Sequence, residues 1–347
     1  MVSSKTCRTL FLLFVPIIVA EFLTGSTPLP TLLSPLTLPT LLGLYGVGAL
    51  LVREVTVVWK KGWPTVLALG CAYGVVEEGL DVKSWFNPHW GALGILGTYG
   101  RLFGINWVWA IELTLFHSIF SITIPIVLAT LLFPASASSR WLPGGRLPLV
   151  ILILMADVLF GFAFFPYTPP PVQYLVAVSS VVALVWIAHR LPPTVSAPGD
   201  ASQLKGRVLV AVGLVSTTVF FILFWVLPNL PVPPAIDVVL ALVLCWSLGR
   251  FLIRNRFSER QVFALVCGAL GFLIAIAVLS LDLLAGPPFV GMALVLSLSA
   301  VRRRLRDRQL PAPGLERSPA SAGGLQLDYD ETRRPWPPQD TSSPTSS

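Results

Sequence analysis

Apolar residues run along this chain in long blocks, each about the length that crosses a bilayer, and the polar residues gather in short breaks between them. A hydrocarbon core about 30 Å thick takes roughly 20 apolar residues of helix. Ten blocks meet that length, at about 9–25, 36–52, 63–80, 105–133, 147–165, 172–189, 207–227, 236–253, 261–281 and 286–301. Pro and Gly mark the breaks, as in Thr168-Pro169-Pro170-Pro171, Pro228-Asn229-Leu230-Pro231 and Gly286-Pro287-Pro288. The pattern predicts an all-α polytopic integral membrane protein with about ten transmembrane helices in residues 1–301.

The basic residues orient that reading. With both termini cytoplasmic, all but Lys83 and Arg101 of the 24 Lys and Arg fall in inner segments, as the positive-inside rule requires. A multi-pass protein of the cell membrane is expected, with anionic lipids against the inner basic residues. The first block, Leu10 to Ala20 after Lys5 and Arg8, also has the form of a signal peptide. Glu21 follows it with no clear cleavage site, so a retained anchor is expected. Beyond Val301 the composition changes. A run of arginines (Arg302, Arg303, Arg304, Arg306, Arg308) leads into a Pro- and Ser-rich stretch, and 302–347 reads as a disordered cytoplasmic tail. Its Pro335-Trp336-Pro337-Pro338 suits a docking motif.

Composition adds exclusions. Only 12% of residues are charged and mean hydropathy is +0.78, against about 25% charge in soluble domains. A cytosolic enzyme, a disulfide scaffold and a nucleic-acid binder are thereby excluded. Cys7, Cys71, Cys245 and Cys267 lack CxxC spacing and read as small apolar residues.

Ionisable residues within membrane segments are costly and mark function. The outer half of the first five blocks collects Glu21, Glu77, Glu78, Asp81, Glu112, His117 and Asp157, with His89 in an outer loop. The second half offers Asp237 and Asp282. A polar site in residues 1–165, opening outward, is expected. Glu77 and Asp81 share a helix face, and Glu78 lies about 100° round. Clustered carboxylates at low dielectric share a proton, a metal or a basic partner. Glu112 and His117 are roughly 140° apart on their helix, and His117 has Thr114 and Ser121 as same-face neighbours. Carboxylate with imidazole suits a divalent metal such as Zn; the candidate ligands are Glu77, Asp81, Glu112 and His117. Lys83 and Arg101 are the natural ion-pair partners of these acids, a wholly structural alternative. Asp157 either reaches the same cavity or bonds a neighbouring helix. Glu54 beside Arg53, and Glu259 beside Arg260, read as solvated inner-face charges, and His189 as interfacial. Gly91, Gly94, Gly97, Gly100 and Gly104 suggest a re-entrant or surface-lying segment, after a Trp- and Phe-rich interfacial stretch at 84–90.

The HExxH, GxSG and GxGD signatures of intramembrane proteases are absent. The Glu77-Glu78 pair, with His117 on the next long helix, resembles the CAAX-protease and bacteriocin-processing family of membrane proteases, whose pattern is EExxxR, FxxxH and HxxxN. Here Val82 holds the arginine position with Lys83 one residue late, Leu113 replaces the Phe, and Pro193 follows His189 at the Asn position. The resemblance implies that Glu77 activates water and that His117 positions it or stabilises the oxyanion, with Glu77, Glu78 and His117 as candidate catalytic residues. Three functions stay open: a glutamate-dependent hydrolase acting on a peptide or lipid-like substrate, a proton- or cation-coupled secondary transporter, and a non-catalytic assembly protein.

Overall fold

A computed structural model describes residues 4–91, 93–193, 202–279 and 287–307. The expected Pro-Trp-Pro-Pro motif of the tail and Asp282 lie outside the described residues. Ten long helices follow one another among those described: α1 (4–22), α2 (Thr37–Val58), α3 (63–81), α4 (Trp107–Leu132), α5 (Leu147–Phe164), α6 (Pro171–Arg190), α7 (Gly206–Asn229), α8 (Pro234–Arg254), α9 (Glu259–Leu279) and α10 (Pro287–Asp307). Seven of them, α2 and α4 to α9, are long and apolar enough to cross a membrane. Charge interrupts the other three: Glu21 in α1, the three acids that end α3 and the arginines that end α10. The last helix runs to Asp307, past the expected end at 301.

Local sequence starts these helices. Pro in the first turn opens α3, α5, α6 and α8, where its missing N–H costs nothing. Asn106 caps α4, its side chain accepting from the Trp109 amide at 3.0 Å. The glycine-rich stretch carries a 3-10 turn at Gly94–Gly97 and a small hairpin, with Arg101–Leu102 antiparallel to Ile105–Asn106. Its two-residue turn needs positive φ at both positions, which Phe103 (53°) and Gly104 (77°) supply. A Cβ on Gly104 would overlap the Gln173 amide, which donates to the Phe103 carbonyl.

Burial separates a packed centre from a lipid-facing rim. In α4, 72% of the apolar window is buried and in α2 61%, against 11% in α6 and α8. The main core joins Leu12, Leu50, Phe120, Leu128 and Leu270. A second, around Trp85, Phe86, Val108, Trp109 and Phe224, lies beneath the hairpin.

Arg53 and Glu54 correct an expectation. They are buried rather than solvated, at 4% and 0% exposure, and pair with each other. Glu54 accepts from the Trp141 and Leu142 amides at 2.9 and 3.3 Å. Arg53 donates to the carbonyls of Ser136, Ala137 and Ser139 and lies 4.0 Å from the Trp141 ring centre. The pair thus anchors the loop between α4 and α5 through five of its backbone groups.

Candidate active site

The site begins with a close crossing of α3 and α4. A Cβ on Gly70 would sit 3.0 Å from the Ser118 Cα, and one on Gly74 would sit 3.0 Å from the Thr114 Cα and 3.2 Å from the His117 Cβ. Small residues four apart let membrane helices approach to backbone contact, and here that approach sets the end of α3 against His117. Gly74→Val is therefore expected to lower stability by roughly 1–3 kcal/mol through overpacking. A melting temperature unchanged in detergent would contradict the crossing as described.

Four stretches of wider, π-helical winding surround this point: Ile18–Phe22, Leu42–Gly46, Val76–Asp81 and His117–Thr123. Each carries a polar side chain of the site, respectively Glu21, Tyr45, the Glu77-Glu78 pair and His117 with Ser121. Such turns insert an extra residue and re-aim side chains, and they recur at functional sites. The re-aiming explains how adjacent Glu77 and Glu78 both reach one imidazole.

His117, 3% exposed, lies between the two carboxylates. Its Nε2 is 3.0 Å from Glu78 Oε1, and its Nδ1 is 2.9 Å from Ser121 Oγ and 3.0 Å from Glu77 Oε2. With Nε2–H donating to Glu78, Nδ1 accepts the Ser121 hydroxyl proton. Glu77 Oε2 is then left buried without a hydrogen-bond partner among the described residues. The second oxygen of Glu78 accepts from the Ser84 hydroxyl, which in turn accepts from the Trp109 indole at 2.9 Å. Tyr45, Tyr73 and Phe116 enclose the imidazole, with ring centres 5.2 to 6.4 Å away. The Tyr45 hydroxyl donates to Glu21 and adjoins Glu77. Glu21 also accepts from Thr27 at 2.6 Å, so a polar chain leads from Glu77 through Tyr45 and Glu21 to the half-buried Thr27.

Glu77, Glu78 and His117 thus meet, with ligand-capable atoms all within 4.8 Å of one another. The other expected ligands do not join that group. Asp81 is buried at the end of α3 against Gly161, where a Cβ would overlap its carboxylate. Its strongest electrostatic neighbour is Asp157, whose own carboxylate rests against Gly43. Glu112 faces Asp237 instead, because it is turned well away from His117 on α4. His89 is exposed, and His189 packs edge-on against Trp59, 4.9 Å between centres, near the ends of α2 and α6.

Among the described residues, neither expected basic partner forms an ion pair with these acids. Lys83 is fully buried, and its ammonium donates to the carbonyls of Phe162 and Phe165 at 2.5 and 2.7 Å, capping the end of α5. Burial pulls its pKa below the usual lysine value, and Asp81 opposes that shift. Arg101 donates to the carbonyls of Gly97, Phe86 and Gly104. Among the described residues, no Lys or Arg forms an ion pair with Glu77 or Glu78.

A family model described as an uncharacterized membrane protein family matches residues 10–306, from within α1 to within α10. The chain belongs to that family. No curated protein and no solved structure matches it. Every residue of the Glu77–His117–Glu78 cluster falls inside the family's matched region.

Sequence reasoning missed Tyr45, Tyr73, Ser84 and Trp109 as members of the site. Tyr45 and Tyr73 sit inside apolar blocks with no polar neighbour in sequence to single them out. The Gly70-xxx-Gly74 spacing was the readable signal for which helices would touch.

Proposed function

We propose that this protein is a membrane-embedded hydrolase in which Glu77 acts on water and His117, held by Glu78, acts on the substrate carbonyl. The observation that carries the reading is the Glu77 Oε2 atom. It is buried, 3.0 Å from an imidazole nitrogen and without a hydrogen bond of its own, which leaves a lone pair to accept a proton from water. The water oxygen bonds to the carbonyl carbon as Glu77 takes its proton. His117, carrying a proton on both nitrogens in this step, keeps Nε2–H on Glu78 and turns Nδ1–H from Ser121 to the oxygen that becomes negative. When the bond to the leaving group breaks, Glu77 returns the proton to it. Ser84 and Trp109 hold Glu78, and Glu78 holds the ring. The same division of roles is what the resemblance to the CAAX-protease and bacteriocin-processing family implies.

The donor set also suits zinc, but both imidazole nitrogens already have hydrogen-bond partners, and ligation would break one of them. Activity is therefore expected to survive a zinc-selective chelator, and its loss would move the mechanism to a metal.

The test is the purified protein in liposomes, given a library of apolar peptides and lipid esters in 18O-labelled water. New carboxyl ends carrying the label are expected, and none in protein-free liposomes. Unlabelled or absent products would remove the hydrolase. The chain from Thr27 through Glu21 and Tyr45 to Glu77 favours a second reading, a proton-coupled transporter. Solute uptake driven by a pH gradient and lost in Glu77→Gln, with no labelled ends, would establish it instead.

A further inference from the structure

The C-terminal ends of α2 and α4 and the start of α3 line a cavity of about 400 Å³, within the range of small-ligand sites, roughly 300–1,000 Å³. It lies at the opposite end of α3 from Glu77, on the face that the positive-inside rule assigns to the cytoplasm. Its wall is divided by chemistry. Arg53, Lys60 and Lys61 supply cations, and Val57, Val66 and Ile126 supply an apolar side. No carboxylate lines it among the described residues. Glu54 already neutralises Arg53, whereas Lys60 and Lys61 form no ion pair among the described residues, so both their charges stay uncompensated.

The backbone fixes both lysines in that wall. A Schellman turn ends α2, with the Lys60 amide donating to the Val57 carbonyl at 3.1 Å and the Lys61 amide to the Thr56 carbonyl at 3.0 Å. The left-handed position of this turn usually holds glycine, and here it holds Lys60, at φ 55°. The Lys61 ammonium donates to the Leu191 carbonyl after α6, which leaves its other N–H groups for a ligand. Uncompensated ammoniums beside an apolar wall match an amphiphile with an anionic head. Free phosphate would leave Val57, Val66 and Ile126 uncovered, and a neutral lipid would leave the lysines unpaired. Trp63, which also lines the cavity and is 43% exposed, suits the same boundary between headgroups and acyl chains.

We infer that this cavity is a binding site for an anionic glycerophospholipid of the cytoplasmic leaflet, its phosphate against Lys60 and Lys61 and its acyl chains along Val66 and Ile126.

The test is the melting temperature of the full-length protein in neutral detergent micelles, titrated with dioleoylphosphatidylglycerol, dioleoylphosphatidylcholine or sodium phosphate. Phosphatidylglycerol is expected to raise it saturably, and the zwitterionic lipid and free phosphate are expected to leave it unchanged. Lys60→Gly is the decisive variant. Glycine suits φ 55°, so without lipid this variant is expected to melt no lower than the wild type. Its titration midpoint is nevertheless expected to move to about fivefold more phosphatidylglycerol, the worth of one lysine facing an anionic membrane surface. Arg250→Gln removes an exposed charge from the same expected face but outside the cavity, and its midpoint is expected to match the wild type. Equal shifts in Lys60→Gly and Arg250→Gln would mean general attraction rather than a site and would overturn the proposal. So would an equal response to phosphatidylcholine, a response to phosphate alone, or no response of the wild type to phosphatidylglycerol.

Discussion

Glu54→Ala is expected to destabilise the protein by about 3–5 kcal/mol, the cost of removing one partner from a buried ion pair. The Arg53 guanidinium would remain buried with its charge uncompensated, and the amides of Trp141 and Leu142 would lose their acceptor. The loop from Phe133 to Arg146 would lose the group that organises it. The expected readings are a large fall in melting temperature and new protease cuts confined to that loop. Arg140→Ala supplies the contrast. Its side chain is 44% exposed and only 4.0 Å from Glu54, so its loss is expected to cost well under about 1 kcal/mol. Equal effects of the two substitutions would mean that the buried pair does not anchor the loop.

Glu77→Gln is expected to reduce hydrolysis by about 10²–10⁴-fold, the usual contribution of a positioned base, while the fold persists. The amide is isosteric, and Glu77 Oε2 makes no hydrogen bond that the exchange would break. Glu78→Gln is expected to cost less. Glu78 acts through His117, and an amide oxygen can still accept from Nε2. The comparison is made on labelled-product rates at matched melting temperature. A Glu78→Gln loss larger than that of Glu77→Gln would reverse the two roles.

The membrane class was legible because bilayer thickness imposes a length on every apolar block, and the observed helices follow those blocks closely. The meeting of Glu77, Glu78 and His117 was legible for a similar reason, since charge is too costly in a membrane to be scattered without purpose. Other features depended on three-dimensional contacts that spacing does not encode. Arg53 and Glu54 read as solvated because adjacent opposite charges at a helix end usually are, and only the Trp141 loop folding over them buries the pair. Lys83 read as a partner for the acids, yet its left-handed backbone (φ 60°) accompanies an ammonium turned to the carbonyls that end α5. The angles of a regular α-helix already set Glu112 about 140° from His117, but spacing does not show its partner, which comes from α8, 125 residues along the chain.

The central claim is that Glu77 and His117 work as one unit on one substrate. The most direct test is the rate of labelled-product formation by the wild type, Glu77→Gln, His117→Gln and the double variant. Groups that act together are strongly non-additive, so the double variant is predicted to be no slower than the slower single variant. Losses that multiply would contradict the account.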